Sequence, residues 1–155
     1  MLNGLLKKRN LPSLLSRQEM LNILLREEYG DLPSKPCQIS FEVAENVIRH
    51  FCAGKAVCNK ITAHMVINGK SFSFPFYEAL PTKGETHPFF VHINFRDNIP
   101  DLYMPTEELI DQGFAVLSFC YNDVTKDNDD LSDGLAGVIA PTGKLAMWAW
   151  CRKAC

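Results

Sequence analysis

Asn68-Gly69 is the feature that most restricts how this chain can fold. The dipeptide stands between two stretches of alternating apolar residues. It supplies the two positive φ angles that a two-residue type I′ hairpin turn requires. A loop that short fixes the register. Ile67 then pairs with Lys70, Met65 with Phe72, Ala63 with Phe74 and Ile61 with Phe76. Strand period is two, so the apolar members of these pairs share one face. Turn chemistry and burial ask for the same pairing, and residues 57–67 and 70–80 are expected as an antiparallel hairpin. Pro75 cannot donate a ladder hydrogen bond, which predicts an edge position or a bulge there. Ile39, Phe41 and Val43 alternate as well and predict a strand near 38–48.

The pattern changes after Gly84. Residues 88–95 and 114–121 are apolar on nearly both faces. Such strands belong to the centre of an α/β sheet, covered on both sides. Between them Pro105, Thr106, Glu107 and Glu108 open a short helix that Gly113 closes. The connection exceeds the dozen or so residues that a parallel crossover needs, so a right-handed β-α-β unit is expected. Asn122–Asp133 reads as an acidic loop and Lys144–Ala154 as a last helix.

At the other end, Ser16-Arg17-Gln18-Glu19 is a capping box. Met20, Leu21, Leu24 and Leu25 follow at helical spacing, so a helix should run to about Glu28, with Gly30 just past its end. Residues 1–15 form a basic arm and Asp31–Pro36 a linker. The chain thus divides into an arm and helix, 1–36, and an α/β domain, 37–155.

Composition excludes several classes. Hydrophobic residues make up 46% and charged residues 22% of the 155, with a formal charge of −2. That is a globular composition with no basic surplus for nucleic acid and no polybasic tract for anionic lipid. The longest apolar runs fall far short of the roughly 18 residues of a membrane span. The N-terminus lacks the long apolar stretch of an export signal, so a cytoplasmic location is expected. The six cysteines form no C-x-x-C pair, and reduced thiols are expected. Cys120, inside an apolar strand, reads as a small buried hydrophobe.

Ligands of open α/β sheets bind outside the carboxyl ends of the strands. Two loops qualify: Asn94, Phe95, Arg96, Asp97 and Asn98 after one strand, and Tyr121, Asn122 and Asp123 after the other. His92 and Asn94 share a strand face leading towards them. The same residues also fit a satisfied histidine and a turn-forming Asn-Asp cluster. Both readings stay open. His87 and His92 are an odd number apart and face opposite ways, and no histidine has ligand spacing, so no metal is expected. No serine lies in G-x-S-x-G and no glycine-rich phosphate loop follows a strand, so neither a complete catalytic constellation nor a nucleotide cofactor is expected.

Three stretches carry a resemblance: His87-Pro88-Phe89-Phe90-Val91-His92-Ile93-Asn94-Phe95-Arg96, Pro105–Val116, and Gly143-Lys144-Leu145-Ala146-Met147-Trp148-Ala149-Trp150. Together they resemble the N-terminal half of bacterial α/β-hydrolases, above all carbohydrate esterases of the glucuronoyl-esterase and acetyl-xylan-esterase type. The resemblance spans roughly residues 16–150. It implies a partial α/β-hydrolase sheet, a serine-dependent hydrolase of carbohydrate-linked esters, and no cofactor. It assigns Asn94, Phe95, Arg96 and Asp97 to the oxyanion wall, a backbone N–H near Phe95 or Arg96 acting as donor. His92, Tyr121, Asn122 and Asp123 become pocket neighbours. It also implies a nucleophile elbow, an acid and a histidine beyond Cys155. The stretch Cys151–Cys155 departs from the pattern, so a fragment or a frameshifted end is expected. A small non-enzymatic binding module using loops 92–98 and 121–123 is the alternative.

Overall fold

The computed structural model describes residues 15–29, 36, 38–128 and 130–139. Its first element is helix α1 (Arg17–Leu24), and its capping box is formed: the Glu19 N–H donates to Ser16 Oγ at 3.2 Å, and the Ser16 N–H to Glu19 Oε2 at 2.7 Å. Regular α-geometry ends at Leu24. Leu25–Tyr29 continues as a wider π-turn, so the helical stretch keeps its expected length but changes pitch. The expected helix at Lys144–Ala154 lies outside the described residues, as does the Trp148-Ala149-Trp150 stretch.

Five strands form one sheet in the order β1-β2-β3-β5-β4. They are β1 (Gln38–Ala44), β2 (Ala56–Ile67), β3 (Lys70–Pro81), β4 (Phe89–Asn94) and β5 (Ala115–Cys120). The hairpin pairs as the turn requires, from Ile67↔Lys70 through Met65↔Phe72 and Ala63↔Phe74 to Ile61↔Phe76. Asn68 has φ 52° and Gly69 φ 76°, the left-handed values of a type I′ turn. β1 pairs antiparallel with β2, and β3 antiparallel with β5, while β4 and β5 run parallel. The fold is mixed α/β.

Pro75 overturns its expectation. It lies inside an unbroken ladder of an interior strand. Hydrogen-bonded and non-hydrogen-bonded pairs alternate outward from the turn, and Thr62↔Pro75 falls on a non-bonded pair. The missing N–H therefore points away from β2. On that side β5 begins pairing only at Tyr77, so no ladder bond is lost. The prediction for 88–95 also needs correction. β5 is buried along its whole length, but β4 is an edge strand among the described residues, with Phe89 58% and Phe90 44% exposed.

The core lies on both sheet faces. On one, Ile61, Ala63, Met65 and Ile67 meet Phe72, Phe74 and Phe76, together with Leu117 and Phe119. Two short helices close it, the first of them contrary to the loop reading of 122–133. These are α3 (Tyr121–Val124) and α4 (Gly134–Ile139), which bury Val124, Leu135 and Ala136 there. On the other face α2 (Thr106–Asp111) sets Ile110 against Ala56, Ala79 and Val116. Lys55 Nζ reaches Glu107 at 2.8 Å and Asp111 at 2.7 Å and ties α2 to the start of β2. No described helix is long and apolar enough to cross a membrane.

Cys58 is fully buried in β2, and Cys52, Cys58 and Cys120 are free thiols. Burial pushes the Cys58 thiol from 9.0 up to about 11, with a smaller push from Cys52. Below pH 9 both folded and unfolded chains hold this proton. Between about pH 9 and 11 the unfolded chain releases it and the folded chain keeps it, so stability falls as pH rises. The loss reaches about 2–3 kcal/mol by pH 11. Cys58→Ala should flatten that part of the curve. Urea unfolding of both proteins at steps from pH 7 to 11 measures the difference.

Candidate functional site

Parallel pairing puts the ends of β4 and β5 at the same sheet edge, with Asn94 beside Cys120. The two predicted loops therefore meet. The Phe95 and Tyr121 rings lie 5.4 Å apart, and Cys120 Sγ sits 3.5 Å from Asp97 Oδ1. Asn122 and Asp123 follow on α3, exposed at the same edge. His92 and Asn94 share the face covered by α2, as strand alternation requires.

Asn94 is fully buried and acts on its own loop. Its Oδ1 accepts the Arg96 N–H at 3.3 Å, and its Nδ2 donates to the Asn98 carbonyl at 3.2 Å. The turn-forming role is thus realised in the loop. It has a consequence for the expected oxyanion donor. The Arg96 N–H is committed to Asn94. Ala115 donates to the Pro88 carbonyl, and from there alternation turns the N–H groups of Phe89, Val91, Ile93 and Phe95 away from β5. Of the two candidates, the Phe95 N–H is the one not spent inside the loop or on β5. Replacing Asn94 by Leu should leave the Arg96 N–H and the Asn98 carbonyl without their partner. A cost of about 1–3 kcal/mol is expected, with faster amide exchange across 95–98 and unchanged exchange in β2 and β3.

Sequence reasoning missed Asp101. Its carboxylate is buried at the turn into α2, accepts the Tyr103 N–H at 3.1 Å, and lies 3.5 Å from Arg96 Nη1 and 3.6 Å from His92 Nε2. The Tyr103 N–H, followed by the Arg96 and His92 side chains, holds its pKa below the ordinary value of 3.8 against the opposing effect of burial. Proline-aspartate turn chemistry points to the backbone bond two residues on. Nothing in the sequence points to the long-range contact with His92. Arg96 also stacks on Tyr103, with Cζ 4.1 Å from the ring centroid. Phe95, Leu102 and Tyr103 are 77–87% exposed. The edge is thus a loop anchored from below, carrying an arginine and exposed rings.

The charges differ across the edge. Desolvation, with the charge of Asp97, pushes the Asp123 carboxyl above its ordinary 3.8, partly offset by Lys60. Burial likewise raises the Cys120 thiol. A buried neutral thiol facing a carboxylate is no nucleophile. Ser118, opposite His92 in the ladder, is buried inside the sheet. Among the described residues no group of His, Cys, Asp and Glu side chains has the arrangement of a metal site. The edge can position and polarise a bound group, and the described residues offer no activated nucleophile to attack it.

No protein-family model and no curated protein sequence matches the chain. Solved structures do resemble it. A CE15 glucuronoyl esterase from Teredinibacter turnerae superposes with a TM-score of 0.64 at 20% identity, over 89% of this chain and 39% of that one. A glucuronoyl esterase from Caldicellulosiruptor kristjansonii gives 0.61 at 21% identity, over 88% and 37%. The glucuronoyl esterase catalytic domain from Hypocrea jecorina gives 0.59 at 17% identity, over 88% and 33%. The chain has the fold of part of an α/β-hydrolase, and it spans less than half the length of the proteins it resembles.

Proposed function

We propose that residues 37–155 supply one wall of a serine-dependent carboxylic-ester hydrolase acting on carbohydrate-linked esters. Residues 1–36 precede that domain as an arm and helix. The nucleophile, its histidine and the acid come from sequence beyond residue 155. One observation carries the reading: loops 94–97 and 121–123 meet at the carboxyl edge of a sheet that superposes on glucuronoyl esterases. In this arrangement the Phe95 N–H serves as an oxyanion donor, and Asn94 holds the loop in the shape that presents it. His92, Arg96, Asp97, Tyr121, Asn122 and Asp123 line the approach.

Acyl transfer of this kind needs a serine, a base to take its proton, and an acid to fix the base. None of residues 1–155 lies in a G-x-S-x-G elbow. The chain alone is therefore expected to show no hydrolysis of an aryl acetate above background. A version extended through the downstream coding sequence should hydrolyse both the aryl acetate and a glucuronate ester, at least about 10³-fold faster. A serine-directed phosphonate should label that version at one serine outside 1–155. Labelling within 1–155, accompanied by turnover, would overturn the assignment. The exposed Phe95, Leu102 and Tyr103 favour a second reading, a non-enzymatic binding module on the same loops. An extended protein that binds a sugar ester at these loops without turnover would select it.

A further inference from the structure

The sheet face carried by β1 is left open by the rest of the described fold. Ile39, Phe41 and Val43 pair with Met65, Ala63 and Ile61, so they extend the apolar surface of the main core. Leu135 and Ala136 of α4 close the centre of that surface. The β1 row stays 43–52% exposed, although Phe41 sets its ring edge-on to Phe76 at 6.4 Å. Just before β1 in sequence lies a second apolar surface. Met20, Ile23, Leu24 and Leu25 of α1 and its π-turn are 37–47% exposed, and neither segment buries a residue. The Gln18–Asn22 hydrogen bond and the Arg26–Glu27 ion pair give the same stretch its polar groups.

We infer that Arg17–Tyr29 is the partner of the β1 face and docks on it within the same chain, its apolar side across Ile39, Phe41 and Val43. The dimensions allow it. Residues 30–37 can span up to about 30 Å, the helical stretch is about 20 Å long, and the apolar row about 14 Å. A tether this short gives the helix an effective concentration in roughly the millimolar range, above that of a second copy in dilute solution. Docking removes two exposed apolar patches at once, and patches of this kind mark interaction surfaces. The contact lies at the β1 edge of the sheet, opposite β4, and is independent of the ester-hydrolase reading.

Hydrogen–deuterium exchange on the 155-residue chain tests it. Amides of Leu21–Leu25 should exchange at least tenfold more slowly than in a synthetic peptide of residues 13–30. Phe41→Asp should abolish that protection. Because this change can also loosen β1, Leu24→Asp supplies the companion: it leaves the sheet sequence untouched and should remove the same protection while β2 and β3 stay protected. Exchange at the peptide rate in the unmodified chain, or protection that survives Leu24→Asp, would refute the docking. Protection that grows between 1 and 100 μM protein would assign the contact to a second copy and overturn the same-chain assignment.

Discussion

Phe74→Ala should destabilise the protein by about 3–5 kcal/mol, the range for deleting a buried phenylalanine from a core. The ring is 1% exposed. It stands between Phe72 at 5.9 Å and Phe76 at 6.2 Å along its own strand, and Phe119 meets it edge-on at 5.5 Å from β5. Truncation loses the transfer energy of the ring and leaves a cavity that its β-strand neighbours cannot collapse into. It also removes three aromatic contacts, each worth roughly 0.5–1.5 kcal/mol beyond area burial. Small domains are stable by only about 5–15 kcal/mol, so the variant should be partly unfolded at moderate temperature. Urea denaturation should show a lower midpoint with an unchanged slope. A loss below 1 kcal/mol would mean that this face is not the organising core.

Gly134→Ala should have a comparable effect through the backbone. Gly134 opens α4 with φ 52°, where a side chain is strained. A methyl group there would overlap the Val124 carbonyl oxygen and sit 3.0 Å from Thr125 Oγ1. That hydroxyl accepts the Ala136 N–H at 3.0 Å, the bond that seats α4 on the strand-end turn. The left-handed conformation costs about 1–2 kcal/mol for an alanine, and relieving the overlap costs about 1–3 kcal/mol more. A total near 2–5 kcal/mol is expected. Leu135 and Ala136, fully buried in the wild type, should become exposed, which dye binding or exchange at 134–139 would detect.

The hairpin was legible because its determinants are local. Two residues set the turn, and the alternation beside it repeats the same instruction. β5 was legible for a related reason: a doubly apolar run needs cover on both faces and receives it. The identical argument misplaced β4, because strand composition records which surfaces are to be covered and not which strand does the covering. Pro75 was misjudged because its tolerance depends on where the neighbouring β5 begins, a fact of the sheet rather than of β3. Gly134–Ile139 is six residues long with Gly137 in its middle, too little periodicity to announce a helix. At the site, the parallel pairing expected from the length of the β4–β5 connection brought loops 94–98 and 121–123 together. Asp101 escaped notice because its contact with His92 depends on how the chain turns between β4 and α2.

The two halves of the sheet differ in how far apart in sequence their partners lie, and this separates them in time. β2 and β3 can zip outward from Asn68-Gly69, as hairpins do within about 1–10 μs. β4 and β5 cannot pair until the whole stretch 95–114 has been closed into a loop, and such non-local contacts form late. Changes at the turn or along Phe72–Phe76 should therefore slow refolding, whereas changes at the seat of α4 should leave refolding nearly untouched and speed unfolding. The carboxyl edge, with both of its loops, then forms after the hairpin and opens before it.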